Sequence, residues 1–428
     1  GATQGIFAVE SAVNELAHKM GMDPVKVKEM NMPVEGGPLP GYPDVPYAQS
    51  CSMDRCMARA KEMMDWDSKY PCRDMGNGKV RGVGVAMAMQ GSSIAGVDVG
   101  GADIKLNEDG SYTLALGCTD MGTGCDTVMA QIAADCLNTP MDNIVVFSVD
   151  TYISPYDSGS YASATTYTTG VAVMKACEEL KKKICKLGAE MMEVDERKVD
   201  FDGSCVFYDE TLEISDGADG NAAGHMTDAE ECYSVDMDAI SSENAQKKVS
   251  LEDIALKSTF FNNIELQVVK QHSSPISPPP FMVGMAEVEV DTETGSVDVL
   301  DYVAVVDCGT PINPNLARVQ TEGGIAQGIG MALWEDVQYT DKGKIRNNSF
   351  MQYKIPTRQD IGNIRVDFEC SYEKSGPFGA KSIGELVIDT PCPAIADAVY
   401  NASGVRVREL PITSEKVAMG ILKKELEK

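Results

Sequence analysis

A glutamate at the end of a glycine-rich stretch is the residue with the clearest chemical potential in this chain. Residues 376–385 read Gly-Pro-Phe-Gly-Ala-Lys-Ser-Ile-Gly-Glu, and the apolar residues 386–388 follow Glu385. Glycines permit tight turns and let the backbone approach a bound molecule closely. The apolar neighbours predict a partly dry carboxylate, and a desolvated carboxylate suits a general base. The alternative interpretation is a loop in which Glu385 pairs with Lys381, four residues earlier.

Two further stretches carry groups that suit ligand binding. Residues 117–127 place Gly122 and Gly124 just before a predicted helix, where free N–H groups can hold an anion. An N-capped helix after a glycine turn is the alternative interpretation of this stretch. Residues 150–170 are rich in serine, threonine and tyrosine hydroxyls, at a density that a hydrophobic core does not require.

Hydrophobic spacing predicts the elements that must position these residues. Helices are expected at 6–20, 53–66, from residues 117–127 to about 137, 171–193, 317–334 and, as the last helix, 394–402. Strands are expected at 81–89, in a hairpin within 100–117 that turns at Asp109-Gly110, at 144–149, and in a pair within 283–306 that turns at 291–295. Residues 200–256 show no clear period, and the proline-rich 32–46 and 274–280 are predicted connectors.

Composition narrows the function classes. The chain has 428 residues, 43% of them hydrophobic, which suggests two or three domains. Its 65 acidic against 37 basic residues give a net charge of −28, so nucleic acid and membrane surfaces are not expected partners. Neither a signal peptide nor an apolar run of ~18 residues is recognisable, and a cytoplasmic location is expected.

Cysteine and histidine usage argues against a metal site made of protein side chains. The 13 cysteines contain no Cys-x-x-Cys pair, and there are three histidines. This spacing suits neither a zinc ribbon nor an iron–sulfur cluster. Any metal is therefore expected to be held largely by a cofactor.

Several segments, in order, resemble the molybdenum subunit of the xanthine dehydrogenase/aldehyde oxidoreductase family, specifically its carboxyl-terminal half. The matching segments are Gly-Ala-Thr-Gln-Gly at 1–5, Met-Gly-Thr-Gly at 121–124, Ser-Gly-Ser-Tyr-Ala-Ser at 158–163, Glu-Val-Glu-Val-Asp-Thr-Glu-Thr-Gly at 287–295, Asn-Pro at 313–314, Gln-Thr-Glu-Gly-Gly-Ile-Ala-Gln-Gly at 320–328, the stretch 376–385, and Gly-Val-Arg-Val-Arg-Glu-Leu-Pro at 404–411. Each motif is weak alone, but their common order makes coincidence implausible. The resemblance covers essentially the whole chain and is weakest over 200–256.

The resemblance implies an α+β fold, with mixed sheets and packed helices, of the molybdenum-cofactor-binding type. It assigns residues 1–80 to the tail of a first molybdenum-cofactor subdomain and a connector. Residues 81–428 become the second cofactor-binding domain, with lobes at about 81–270 and 281–428.

The resemblance also implies the roles of particular residues. Glu385 matches the family's catalytic base, and Ile94 and Ala95 fall at the substrate position. Molybdenum is expected to be held through the dithiolene of molybdopterin, of which the cytosine dinucleotide is one form, with no direct ligand from the protein. The implied cofactor-binding residues are Gly122, Thr123, Gly124, Ser160, Ala162, Ser163, Gln320, Lys381, Ser382 and Gly384. Thr123 departs from the glutamine that many members carry.

The implied function is a xanthine dehydrogenase-like hydroxylase that inserts water-derived oxygen at an electron-poor C–H of a purine or related N-heterocycle. Aldehyde oxidoreductase, nicotinate dehydrogenase and hydroxybenzoyl-CoA reductase activities are alternatives, because Ile94 and Ala95 stand where purine oxidases have an aromatic residue and a threonine. An inactive structural homologue or a cofactor-insertion partner is the non-enzyme alternative.

Partner subunits are implied by what the chain lacks. Iron–sulfur cysteines and a flavin motif are not recognisable in it, so 2Fe-2S clusters and FAD are expected on an iron–sulfur subunit and an FAD subunit. The first half of the molybdenum subunit is also expected as a partner, beside a small-molecule substrate. The chain alone is expected to be inactive and to hold molybdenum poorly.

Overall fold

A computed structural model describes residues 1–40, 42, 44–212, 247–262 and 264–427 of the chain. Its helices are α1 (Ala2–Lys19), α2 (Pro24–Glu29), α3 (Met53–Met64), α4 (Trp66–Lys69), α5 (Cys125–Leu137), α6 (Gly170–Met192), α7 (Leu251–Leu256), α8 (Pro314–Leu333), α9 (Pro391–Ser403) and α10 (Ser414–Leu426). Its strands are β1 (Cys72–Gly76), β2 (Lys79–Met89), β3 (Gly100–Leu106), β4 (Tyr112–Leu116), β5 (Ile144–Ser148), β6 (Val199–Phe201), β7 (Cys205–Tyr208), β8 (Lys248–Ser250), β9 (Gln267–His272), β10 (Phe281–Asp291), β11 (Val297–Asp307) and β12 (Asn363–Phe368).

A five-stranded sheet in the order β1-β2-β10-β11-β12 organises one part of the molecule. It is antiparallel except for the β11–β12 pair. Alternate residues of β10 enter different cores: Met282 and Ala286 belong to the core with α8 and α9, and Val283 and Met285 to the core with α3. Gly84 lets α9 approach the sheet, because a Cβ there would lie 2.2 Å from the Ala394 carbonyl oxygen.

A four-stranded sheet in the order β5-β4-β3-β9 organises the other part. The β3–β4 hairpin turns at residues 107–111, and β5 adds in parallel to β4. Ile104 and Leu114 pack from the sheet into a shared core with Met129 of α5 and Ala176 of α6. The small β6-β7-β8 sheet joins the same core through Val206.

The predicted α+β architecture of mixed sheets and packed helices is confirmed. The strands and helices expected from spacing form close to their predicted bounds. One expectation is wrong: α9 is not the last helix, because α10 follows it. The stretch 200–256, which shows no clear period in the sequence, contains β7, β8 and α7. Residues 213–246 of the weakly patterned stretch lie outside the described residues.

The proposed division at 80/81 and the two lobes remain a prediction. Strand β2 pairs along its length with β10, from Lys79 opposite Asp291 to Met89 opposite Phe281. Within the described residues, no helix combines the length and apolar character needed to cross a bilayer.

Candidate active site

Three loops that are distant in sequence meet at one place: the loop after β2, the loop before α6 and the loop before α9. Ser92 Oγ accepts a hydrogen bond from Ser382 N at 3.0 Å and donates one to Ser382 Oγ at 3.1 Å. Ser93 N donates to the Ala162 carbonyl oxygen at 3.0 Å. These contacts hold the three loops together around Glu385.

The carboxylate of Glu385 is fixed by two side chains from the other two loops. Gln90 Nε2 donates to Glu385 Oε2 at 2.9 Å, and Ser163 Oγ donates to the same oxygen at 3.2 Å. The Glu385 backbone N–H donates to Ser163 Oγ at 2.9 Å. Glu385 is exposed although Leu386 and Val387 are buried. The expected partly dry carboxylate is therefore wrong for this chain, and the apolar residues anchor the loop instead.

The backbone that carries Ser163 is in an uncommon conformation. Ala162 and Ser163 both have left-handed φ angles, 52° and 56°. For residues with a Cβ this costs about 1–2 kcal/mol each and is found where the surroundings impose it, often at functional sites. Gly384 leaves room for the serine, because a Cβ there would lie 3.1 Å from Ser163 Oγ.

A cavity with a volume of about 290 Å³, here called the main cleft, opens beside Glu385. It gathers Glu385 with most of the residues predicted to bind the cofactor, namely Thr123, Ser160, Ser163, Gln320, Lys381, Ser382 and Gly384. Cys125, Cys308, Thr310, Asn313 and Leu316 line it as well and were not predicted.

Gly122 and Gly124 do not line the main cleft; they form the turn that carries Thr123 into it. Their N–H groups donate to Asp120 Oδ1 at 2.8 and 3.2 Å. Burial of Asp120 opposes its ionisation, but these two N–H groups and those of Thr123 and Asp126 together outweigh it and lower the pKa of Asp120. The predicted free anion-binding N–H groups are thus used inside the loop itself.

Two helices begin at the main cleft. Helix α5 starts at Cys125, and α8 starts at Pro314 with the Asn313 side chain accepting from Leu316 N at 3.0 Å. From α8, Gln320 Nε2 donates to the Gly384 carbonyl oxygen at 3.4 Å. Helix N-termini carry partial positive charge. The start of α8 therefore suits an anionic group, whereas the start of α5 already holds the Asp120 carboxylate.

Lys381 does not pair with Glu385, so that alternative interpretation is wrong. Its ammonium lies 3.0 Å from Asp307 Oδ2, and both side chains are fully buried. Lys381 Nζ also donates to the Ser50 carbonyl oxygen at 3.1 Å and lies 4.9 Å from the centre of the Phe281 ring. The lysine therefore anchors the loop that ends at Glu385.

A second cavity, here called the side pocket, contains both residues predicted to contact substrate. Its volume is about 340 Å³, and Ile94, Ala95 and Ala162 line it with Gln90 and Tyr42. Gln90 connects the two cavities, because it lines the side pocket and binds the glutamate of the main cleft. Sequence reasoning missed Gln90, for which the only signal was a polar residue at the end of an apolar strand.

The main cleft fits the molybdopterin that the sequence resemblance implies. Its lining offers hydroxyl groups, the amide of Gln320 and the start of α8, which suit a pterin and its phosphate. Among the described residues, one group of metal-ligand type, Asp120, Cys125 and Asp126, brings its atoms within 4.8 Å. Because Asp120 Oδ1 is already bonded to its own loop, we do not assign a metal to this group.

Comparisons with known proteins agree with this geometry. Residues 59–362 match the family described as molybdopterin cofactor-binding domain. The chain is 32% identical to a protein of Escherichia coli K12 named probable hypoxanthine oxidase XdhD, over 99% of this chain and 41% of that protein. It is 29% identical to the putative xanthine dehydrogenase molybdenum-binding subunit XdhA of the same organism, over 97% of this chain and 52% of that subunit.

Solved structures share the fold. CO dehydrogenase from Oligotropha carboxidovorans superposes with a TM-score of 0.81 and 21% identity, over 100% of this chain and 52% of that one. Quinoline 2-oxidoreductase from Pseudomonas putida 86 superposes with a TM-score of 0.81 and 22% identity, over 98% of this chain and 52% of that one. The chain thus spans about half the length of these proteins. The sequence resemblance and the predicted molybdopterin cofactor are confirmed, and the chain belongs to the molybdopterin cofactor-binding family of the xanthine dehydrogenase/aldehyde oxidoreductase type.

Proposed function

We propose that this chain supplies the catalytic base and the cofactor cleft of a xanthine dehydrogenase-like hydroxylase. The reaction inserts water-derived oxygen at an electron-poor C–H of a purine or a related N-heterocycle. The observation that supports it most is the place of Glu385, which lies on the main cleft and is bonded to a residue of the side pocket.

Different residues of the main cleft hold different parts of the cofactor. Thr123, Ser160 and Gln320 offer hydrogen bonds to the pterin, Ser382 holds the loop beside it, and Gly384 lets it approach the backbone. The start of α8 suits the phosphate, including that of a cytosine dinucleotide form. When bound, molybdopterin supplies a molybdenum centre that takes two electrons from the substrate.

Glu385 acts as the general base. Its carboxylate accepts a proton from the oxygen nucleophile while the substrate lies in the side pocket against Ile94 and Ala95. The oxygen nucleophile must lie next to both the base and the substrate carbon in one complex. Two adjoining cavities, one for the cofactor and one for the substrate, satisfy this requirement.

A purine is favoured by the names of two relatives, a hypoxanthine oxidase and a xanthine dehydrogenase subunit. An aldehyde oxidoreductase activity is the second candidate, because Ile94 and Ala95 offer no ring to stack on a purine. A relative named aldehyde oxidoreductase molybdenum-binding subunit PaoC, from Escherichia coli K12, is 29% identical over 97% of this chain.

The electrons leave through partner subunits in this proposal. Several relatives are named as subunits, and the chain covers 41–52% of the length of those compared. We propose that the rest of the molybdenum subunit completes the substrate pocket, and that an iron–sulfur subunit and an FAD subunit carry the electrons away.

A substrate screen of the assembled complex tests the proposal. Xanthine, hypoxanthine, nicotinate, an aldehyde and an aromatic thioester would be compared by kcat/KM, with molybdenum content measured alongside. A preference of at least about tenfold, or 1.4 kcal/mol, for a purine supports it. A preference for the aldehyde selects the second candidate, and a complex without molybdenum selects the inactive homologue.

A further inference from the structure

The two carboxylate oxygens of Glu385 are in different environments. Oε2 accepts hydrogen bonds from Gln90 Nε2 at 2.9 Å and Ser163 Oγ at 3.2 Å. Oε1 accepts none from the residues that the structure describes. We propose that Gln90 and Ser163 are positioning residues that bind Oε2, so that Oε1 is the oxygen that receives the proton. This inference rests on the proposed function of Glu385.

The anchors are needed because the terminal torsion of a glutamate is soft. Rotation about that bond has a broad, two-fold preference, so the two oxygens of a free carboxylate exchange readily. Two donors on one oxygen remove this freedom and leave the other oxygen with its lone pairs available. Donors also lower the proton affinity of the oxygen they bind, which makes Oε1 the more basic of the two.

The amide of Gln90 has only one orientation that fits this contact. A carboxylate accepts hydrogen bonds and does not donate them, so Nε2 must face Glu385. Gln90 Oε1 is then buried and has no partner among the described residues. An unpaired buried carbonyl oxygen costs stability, so the contact with Glu385 is kept at a cost to the fold. The Gln90 backbone N–H donates to the Pro280 carbonyl oxygen at 3.4 Å, which ties it to the chain entering β10.

Ser163 is held by contacts of its own. Its left-handed backbone is held through Ala162, whose carbonyl oxygen accepts from Ser93 N at 3.0 Å. Its hydroxyl accepts from the Glu385 N–H and so has its one proton free for Oε2. The base is therefore held by its own backbone and by two donors from separate loops.

The test compares Gln90→Leu and Ser163→Ala with Gln267→Leu in the assembled complex. Gln267 makes a matched amide–carboxylate contact, with Nε2 2.6 Å from Asp103 Oδ2, in the sheet that contains β9. We expect Gln90→Leu and Ser163→Ala each to lower kcat about 10- to 100-fold, the size of a hydrogen bond to a charged group, with little change in KM. Molybdenum content should stay at the level of the unmodified protein, and Gln267→Leu should leave kcat unchanged.

The separation of kcat from KM is the readout that a purely structural role would not give, because positioning of the base acts on the chemical step and not on substrate binding. Gln90→Glu keeps the size of the side chain but removes the amide donor and puts a second carboxylate beside Glu385. It should lose more activity than Gln90→Leu.

The result that overturns the inference is a kcat within about twofold of the unmodified protein for Gln90→Leu, Gln90→Glu and Ser163→Ala, while Glu385→Gln is inactive. Loss of molybdenum from Gln90→Leu together with unchanged kinetics of Ser163→Ala overturns it as well. Normal activity of Glu385→Gln would instead remove the proposed function, which keeps the two failures distinguishable.

Discussion

Ser163 and Glu385 are joined by a reciprocal pair of hydrogen bonds across 222 positions of sequence. The Glu385 N–H donates to Ser163 Oγ at 2.9 Å, and Ser163 Oγ donates to Glu385 Oε2 at 3.2 Å. One hydroxyl thus holds both the backbone and the side chain of the glutamate. Small displacements of the Glu385 loop should therefore disturb both contacts together.

Neighbouring glycines on α8 allow a test of this sensitivity. A Cβ at Gly324 would lie 2.3 Å from Val387 Cγ2, two residues beyond Glu385, whereas a Cβ at Gly323 would meet no atom within 4 Å. Gly324→Ala should cost about 1–3 kcal/mol by overpacking and should lower kcat by shifting Glu385 from Ser163. Chemical denaturation and steady-state kinetics measure the two effects.

Gly323→Ala is the control for that substitution. It should stabilise the protein by about 0.5–1 kcal/mol, because alanine loses less backbone entropy than glycine in a helix. Equal stability and equal kcat in Gly324→Ala and Gly323→Ala would show that contact with Val387 does not set the position of the loop.

The buried pair of Lys381 and Asp307 should contribute strongly to stability when one partner is removed. Lys381→Met leaves the Asp307 carboxylate buried without its cation, which should cost about 3–5 kcal/mol of unfolding free energy. Asp307→Asn should cost a similar amount, and the double variant should lose less than the two single losses together. Denaturant titration of the three variants gives the coupling energy.

The exposed pair of Arg408 and Glu15 is the comparison for the buried one. Arg408 Nη2 lies 2.8 Å from Glu15 Oε1, and the arginine side chain is 66% exposed. Arg408→Met should therefore cost less than about 1 kcal/mol. A loss in Lys381→Met as small as that in Arg408→Met would contradict the anchoring role assigned to Lys381.

Asp389 makes stability depend on pH in a predictable direction. Its burial raises its pKa to about 6, against about 3.9 in an unfolded chain, although Thr3 Oγ1 donates to it. Between about pH 4 and 6 the unfolded state loses the proton first, so stability falls as the pH rises. Above pH 6 the buried, ionised carboxylate lowers the unfolding free energy by about 3 kcal/mol.

Asp389→Asn should remove that penalty, because asparagine is never ionised and its oxygen can still accept from Thr3. The variant should gain unfolding free energy relative to the unmodified protein at pH 7.5 and lose that gain at pH 4. Asp341→Asn, at an exposed position, is the control and should show no such difference. A gain in Asp389→Asn that is equal at both pH values would contradict the assignment.

Local patterns predicted much of the fold because helix and hairpin signals lie within a few residues. The turn at Asp109-Gly110 and the apolar spacing of α6 are examples, and both elements form close to where they were expected. Strand β7 was missed because four residues in an acidic, glycine-dotted stretch show no alternation. Helix α10 was missed although Thr413 caps it through a side-chain contact with Lys416 N.

The site could be predicted only in part, because its contacts join distant residues. The motif around Glu385 was recognisable locally. The hydrogen bond between Glu385 and Gln90 spans 295 positions, and the sequence of neither segment indicates it. Lys381 shows the same limit: spacing favoured Glu385 as its partner, whereas folding places it beside Asp307.

The most direct test of the central claim is the turnover of Glu385→Gln in the assembled complex, with molybdenum content measured on the same sample. Glutamine preserves the shape and can still accept hydrogen bonds from Gln90 and Ser163, but it is not a base. We predict full molybdenum content and a fall in kcat of about 10²–10⁴-fold, the contribution of a general base, with Glu409→Gln as an active control. Turnover near that of the unmodified protein, with molybdenum in place, would contradict the account.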